Sequence, residues 1–558
     1  MGRAGPAPLA SSMPDGSFSI DSEKAEVSTT EVPQLRSAEA GALSKTHIFQ
    51  DPNLAEHWRN VYEKTQYESR HRFDPELEWT AEQEKRLVRK LDIYLMIWVW
   101  MMFFALDLMR YNINRVLASS MLKDTGMNQN DTNNGQIIFY VSFLLMELPG
   151  GVISKKLGAE RWVPTQMVAW SIVSACQSAM KNRTGFFITR ALMGITMGGF
   201  IPDMCLYLSY FYTSKELNLR TSCFYTALGL SQVIGTFLSV GFLALDGLNG
   251  VAGWRYLFAF DALISGVIAI FTFFFMPPTV TRTSGRVRGR KGWFTPEEEG
   301  ILVNRVLRDD PFKGDMNNRQ GVKWSDVWFC LKDLDSWPLY LLGFSITIPS
   351  QPPSTYLSFI LRLLNYNVRD SNLLAIPSQI LWSLNMIWPT LLSNRLREKS
   401  LVSSLAGVWG LPCLIALVSL PHAMGSHYGW SRYALLTLLI PCPYPLPLMV
   451  GWVSENAYSV RTRTVGLCFF NMSVQAGSIV ATRFYTDGDK PYYAKGNSAL
   501  LAVAAFTIVQ CVATKMYYLW RNRQKSRAWS RLSYEERIEY TKHTQDLGSR
   551  RLDARFVH

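Results

Sequence analysis

The side chains best placed to do chemistry at membrane depth stand together early in the chain, in Phe103-Phe-Ala-Leu-Asp-Leu-Met-Arg-Tyr-Asn-Ile-Asn114. Asp107 and Arg110 are one helical turn apart, and Asn112 follows. They close an apolar run, Ile93 to Leu106, that holds no charged residue. An ionisable group inside a membrane helix is costly, so it usually faces a bundle interior or a water-filled cavity. A carboxylate there can carry a proton. A guanidinium can hold a carboxylate or sulfonate through two parallel N–H···O bonds. The same residues also fit a helix that simply ends here, with both charges among lipid headgroups.

The remaining sequence must supply the elements that position them. Of its 558 residues, 48% are hydrophobic, 13% aromatic and only 18% charged. Soluble domains carry about a quarter charged residues. The apolar residues form repeated runs of membrane-spanning length. The net charge of +13 comes from Lys and Arg that flank those runs. They therefore read as topology determinants and contacts to anionic lipid, and no nucleic-acid partner is expected. The eight Cys show no paired or metal-type spacing, and Cys176, Cys205, Cys223 and Cys468 fall in apolar helices. The seven His are scattered. With no nucleophile motif and no paired carboxylates at depth, the chain is not expected to be an enzyme, and no cofactor or metal is expected. The Gly/Ala/Pro/Ser-rich N-terminus does not read as a cleavable signal peptide, so the first span serves as the targeting signal.

The pattern predicts an all-α membrane protein with twelve transmembrane helices in two six-helix halves. Residues 1–91 form a cytoplasmic N-terminal segment, mostly disordered up to about residue 75. Thr80-Ala-Glu-Gln83 is a capping box that starts a helix leading into the first span. The first half covers 92–276, with spans near 92–113, 135–154, 162–180, 185–209, 222–245 and 254–276. A central loop covers 277–335. Its Thr295-Pro-Glu-Glu298 capping box opens an amphipathic helix with Ile301, Leu302, Val306 and Leu307 on its apolar side. That helix is expected along the cytoplasmic face. The second half covers 336–520, with spans near 336–361, 371–393, 400–421, 430–453, 464–486 and 498–520. Spans 7 and 10 are interrupted by Pro, so they should line a cavity or pack against protein. A tail, 521–558, repeats the capping device at Ser533-Tyr-Glu-Glu536.

Lys155, Lys156 and Arg161, Lys215 and Arg220, Arg395, Arg397 and Lys399, and Arg461 and Arg463 all fall in loops on one side. The positive-inside rule makes that side cytoplasmic, with both termini there, although Lys181 and Arg183 run against it. The sequons at Asn130 and Asn182 then face outward as possible glycosylation sites, while a third at Asn471 lies inside span 11.

Gly151-Val-Ile-Ser-Lys-Lys-Leu-Gly158, followed by Glu160 and Arg161, resembles the loop signature of the major facilitator superfamily. Gly151, Lys155, Lys156, Gly158 and Arg161 are its gating-loop candidates. Arg190-Ala-Leu-Met-Gly194 resembles the superfamily's span-4 Arg motif. Arg190 lies roughly 6–8 Å below the outer end of its span, at a depth close to that of Asp107. An Arg keeps its charge there and needs a carboxylate or an anionic substrate. An Asp107–Arg190 interaction is expected, leaving Arg110 for substrate.

A narrower resemblance spans nearly everything after Asp92. It rests on Ser154-Lys-Lys-Leu-Gly-Ala-Glu-Arg-Trp162, Gly198-Gly-Phe-Ile-Pro-Asp203, Gly292-Trp-Phe-Thr-Pro-Glu-Glu-Glu299 and Tyr485-Thr-Asp-Gly-Asp-Lys-Pro-Tyr-Tyr493. These are similar to fungal anion:cation symporters of the allantoate permease type. The resemblance implies proton-coupled import of a small organic anion, such as allantoate or a vitamin carboxylate, or of a sulfur oxyanion. It also implies alternating access in the plasma membrane. The partners expected are the anion, the proton and lipid, with the carrier a monomer. Relatives often have acids where this chain has Met109 and Met197, which leaves Asp107 as the leading proton carrier and Glu455 as a weaker one. Cavity-lining candidates in the second half are Gln351, Tyr356, Asn385, Asn471 and Gln475, the last two on one helical face. Each also fits a plain interhelical hydrogen bond. A non-transporting nutrient sensor and a metabolite exporter remain alternatives.

Overall fold

The computed structural model describes residues 47–117, 119–314, 324–363, 367–421, 426–457, 460–489, 492–544 and 548–558. Among them the regular structure is helical, with no β pairing beyond one isolated Gly285–Gly289 bridge. The capping box at Thr80 forms as its sequence implies: Gln83 N–H donates to Thr80 Oγ1 at 3.2 Å. It starts α2 (Ala81–Leu91), which follows α1 (Pro52–Lys64). One wide turn at Asp92–Met96 joins α2 to α3 (Ile97–Val116), giving a continuous helix of 36 residues.

The first half continues with α4 (Met121–Asp124), α5 (Gln129–Leu157), α6 (Ala159–Ser178), α7 (Arg183–Met197), α8 (Phe200–Ser209), α9 (Ser214–Leu243) and α10 (Gly253–Phe275). The central region holds α11 (Pro296–Asp309) and α12 (Trp324–Leu331). Then come α13 (Trp337–Ile346), α14 (Gln351–Leu363), α15 (Val368–Leu373), α16 (Ile376–Leu384) and α17 (Trp388–Leu396). The chain ends with α18 (Ser400–Ser419), α19 (Ser426–Leu439), α20 (Leu446–Asn456), α21 (Val460–Ala481), α22 (Ala494–Ser530) and α23 (Tyr534–His543).

Eight helices among the described residues are long and apolar enough to cross a membrane. They occupy the positions expected for spans 1, 2, 4, 5, 6, 9, 11 and 12. Span 3 falls on α6. Spans 7, 8 and 10 fall on shorter helices in series. Pro explains these breaks, because it removes a donor and clashes with the preceding turn. Pro352 and Pro353 follow the gap between α13 and α14, and Pro441, Pro443, Pro445 and Pro447 crowd the gap between α19 and α20. Two breaks were not expected. One separates α16 from α17, ahead of Pro389. The other separates α7 from α8 at Gly198-Gly199, where Gly199 takes a φ of 86° that only glycine adopts freely.

The halves meet where α5 packs on α21 and where α9 packs on α16 and α20. The first 46 residues lie outside the described ones, but residues 47–75 correct the expectation of disorder. Phe49, Trp58, Tyr62 and Phe73 bury against Val303 and Leu307 of α11. Tyr62 donates to Pro311 O at 3.0 Å, and Arg72 pairs with Glu299 at 3.0 Å. The apolar side of α11 is therefore covered by protein. Arg305 ties that layer to Glu216 of α9 at 2.5 Å, and Arg463 of α21 reaches Asp310 at 2.6 Å. The tail joins the same end: Trp452 Nε1 donates to Val557 O at 2.6 Å.

Within the first half, α5 and α7 touch through glycine. A Cβ on Gly194 would sit 2.4 Å from Phe139 O, a backbone atom that cannot swing away. Gly194→Ala is expected to destabilise the protein by about 1–3 kcal/mol through overpacking. Gly241→Ala on α9 meets nothing within 4 Å and serves as the control. Thermal unfolding of the detergent-solubilised protein should show a lower midpoint for the first variant and none for the second.

Candidate functional site

A cleft between the halves is lined by Arg110, Gln136 and Tyr140 on one side and by Gln351, Thr355 and Tyr356 on the other. The space it leaves open in this structure is small, about 20 Å³, room for about a single water. Arg110 is its one cation. The guanidinium lies 5.5–5.7 Å from the ring centres of Tyr111, Phe139, Tyr140 and Phe143. Rings at that distance stabilise a cation by their quadrupoles and keep water from it. Its Nη2 donates to Gln475 Oε1 of α21 at 3.1 Å, and its Nε has no hydrogen-bond partner. Gln351 Nε2 donates to Tyr140 OH at 3.3 Å, and Tyr356 OH donates to Asn133 Oδ1. So the structure places Arg110, Gln351 and Tyr356 around one cleft, with Gln475 bonded to Arg110, and adds an aromatic sleeve that the sequence did not show.

The expected Asp107–Arg190 pair is not formed. Asp107 is fully buried and accepts from Ser231 Oγ and, at 3.5 Å, from Gln232 Nε2, both on α9. Arg190 is 1% exposed, rests 5.5 Å from the Phe186 ring centre, and has no hydrogen-bond partner on any of its three nitrogens. Equal depth along two helices does not make two side chains meet, because each helix also has a rotational setting. The cations whose charge acts on Asp107 are Arg110 and then Arg115, the second of which the sequence did not single out. Arg115 Nη2 donates to Ser231 O at 3.0 Å, and its charge acts on both Asp107 and Asp261. Room for that guanidinium comes from Gly235, where a Cβ would lie 2.2 Å from its Cζ. Asn112 is buried, and its side chain acts on the Asp261 carboxyl.

A second missed acid is Glu147 on α5, which is fully buried. Its Oε1 accepts from Asn471 Nδ2 of α21 at 2.8 Å, and its Oε2 has no hydrogen-bond partner. The signal for Glu147 and Asp261 was present: each is a carboxylate inside an expected span, and such residues are rarely idle. Asn471, bonded inside the bundle, is not a glycosylation site. Asn130 and Asn182 are both exposed at one end of the bundle, where Asn182 caps α7 through Gly185 N–H at 2.8 Å.

Asn385 does not face the cleft. Its Nδ2 donates to Pro441 O at 2.5 Å and its Oδ1 accepts from Trp388 Nε1 at 2.9 Å, so it stitches two helix breaks together. Glu455 is a buried ion-pair partner of Lys399 at 2.8 Å and accepts from Asn218 Nδ2 of α9 at 2.9 Å. The expected loop begins only at Gly158, because α5 runs on to Leu157; within its last turns Gly151 packs against Cys468, and Lys155 is buried and donates to Tyr210 OH. Gly158 turns the chain at a φ of 89°, while Lys156 and Arg161 are exposed.

Arg115 is the test of the buried cluster. Arg115→Met removes its hydrogen bond to Ser231 O and the cation whose field acts on Asp261 and, with Arg110, on Asp107, a loss of about 1.5–3 kcal/mol. Size-exclusion chromatography should show little monodisperse protein. Adding Asp261→Asn should restore a good part of it.

Comparison with known proteins agrees with this architecture. The chain is 46% identical over 512 residues to an uncharacterized transporter of Saccharomyces cerevisiae, covering 91% of this chain and 94% of that one. It is 26% identical over 459 residues to a fungal transporter of the same superfamily, covering 80% and 89%. A protein of Agrobacterium vitis provisionally named a tartrate transporter is 28% identical over 248 residues, 44% of this chain and 53% of its own. The Major Facilitator Superfamily model matches residues 99–482. A cationic cleft between two helical halves and a match over most of its length make this chain a member of the major facilitator superfamily.

Proposed function

We propose that the chain imports a small organic anion, or a sulfur oxyanion, by proton symport with alternating access. In this reading twelve spans form two six-helix halves, both termini are cytoplasmic, and a monomer works in the plasma membrane. The observation that carries it is Arg110: one guanidinium, sleeved in rings, at the cleft between the halves, with Nε unsatisfied. A desolvated guanidinium favours an anion over water, and its fork suits a carboxylate.

One guanidinium in the cleft suits one carboxylate of such an anion, which fits the tartrate named for one bacterial relative. Gln351, Tyr356 and Gln475 then complete the anion site from the second half. Asp107 stays a candidate proton carrier through its single unsatisfied oxygen.

Uptake of labelled L-tartrate, allantoate, nicotinate, sulfate and taurine by yeast cells lacking their own permeases tests this. At least one anion should accumulate, and a protonophore should abolish the accumulation. Arg110→Lys keeps the charge but loses the fork, worth roughly 1.5–3 kcal/mol or 10- to 100-fold in affinity. Uptake that ignores the protonophore would remove symport.

A further inference from the structure

We propose that Glu147 is the residue that couples proton movement to closure of the two halves, sealing against Asn471 as the neutral acid. This deepens the symport reading above and rests on it. Three observations carry it. First, Glu147 bonds across the interface, from α5 to α21, whereas Asp107 bonds only to Ser231 and Gln232 of its own half. A proton on Asp107 is felt inside one half; a proton on Glu147 changes a contact between halves.

Second, the site holds no cation in contact with the carboxylate. Facing it are Asp203 and Cys205 from α8, Cys468 from α21, Tyr225 from α9 and Arg110 from α3. Arg110 is turned to Gln475. The Asn471 amide, the Gly199 backbone N–H and an unsatisfied Oε2 supply no compensating charge to a sealed anion, which loses its hydration. Closing the interface and taking up a proton on Oε2 therefore become one step. When the halves part, water reaches Oε2, the O–H bond breaks, and the proton passes to that water. No other bond changes.

Third, Asn471 and Gln475 are one turn apart on α21. The group that faces the anion and the group that holds the proton thus grip the same face of one helix. Binding of an anion at Arg110 competes with Gln475, and this is transmitted to Asn471 through a single rigid element.

The test uses the full-length chain in liposomes. In the pH-difference infrared spectrum, Glu147→Gln should remove a buried carboxylic-acid C=O band. Asn471→Ala should shift that band, and Asp107→Asn should leave it in place. In the same vesicles, with labelled L-tartrate or allantoate as probe, Glu147→Gln should keep equilibrium exchange. It should lose gradient-driven accumulation by roughly tenfold per pH unit, the value of one coupled proton. Glu147→Asp should keep both the band and the pH dependence. An unchanged band in Glu147→Gln overturns the proposal, as does normal accumulation, or equal loss of exchange and accumulation. If the wild type moves neither probe, the transport reading fails for those anions while the infrared result still decides whether Glu147 holds the proton.

Discussion

Charge without water is the constraint on which the rest of this structure depends. From Asp107 to Asp261, eight Asp, Glu, Lys or Arg side chains are buried among the described residues, and four of them meet contrasting environments. Arg115 has a backbone carbonyl and the field of two carboxylates. Asp107 has a hydroxyl. Glu147 has an amide from the opposite half. Arg190 has a ring and no hydrogen bond. A buried charge is tolerated when it is paired and hydrogen-bonded. These are incompletely so, which marks the first half as a region arranged around something other than its own stability.

The loop end of the bundle is the contrast. There the charges are paired at close range: Arg463 with Asp310, Arg305 with Glu216, Lys399 with Glu455, and Arg521 with Asp335 at 2.7 Å. Lys313 of this layer is buried and donates to Tyr212 O at 2.8 Å. Burial pulls its ammonium below the usual lysine range, and Asp309 and Asp310 oppose that shift. The Arg463–Asp310 and Asn218–Glu455 contacts bind opposite halves or bind one half to the central layer. Parting the halves at this end means breaking buried pairs, each strongly destabilising if left half-broken. The arrangement is thus a latched state, with the cleft at Arg110 on the far side of the latch.

What was legible from sequence follows the physics of each signal. Helix starts at Thr80, Thr295 and Ser533 were readable because a capping box is local chemistry, and all three form. Proline breaks were readable at α13–α14 and α19–α20 for the same reason. The Gly198-Gly199 break was not, since a glycine pair permits a break without requiring one. Residues 47–75 looked disordered because their apolar residues are sparse; Trp58 and Tyr62 are buried with the help of α11 and of Pro311 and Phe312 just after it, more than 200 residues later. In the site, Arg110 and Gln475 were each readable as polar groups at membrane depth, but their mutual hydrogen bond was not. The Asp107–Arg190 pairing failed because depth can be read from the sequence while rotation about the helix axis cannot. Glu147 and Asp261 were missed because they stand in no motif and are marked only by their place inside an apolar run.

That last omission bears on how such a molecule can couple two solutes at all. A group can transmit its state to the other half only through a contact that crosses the interface. Among the acids at depth whose hydrogen bonds are described, Asp107 stays within its half, bonded to α9. The hydrogen bonds of Arg110 and Glu147 both cross to α21, at Gln475 and Asn471. The absence of an acid at Met197 then has a physical sequel: Glu147 stands against the neighbouring glycines, where its carbonyl lies 3.4 Å from the position a Cβ on Gly199 would take. A carboxylate from α5 thus occupies the space beside the α7–α8 break. Glu147 therefore touches both that break, at Gly199, and the α21 interface, at Asn471.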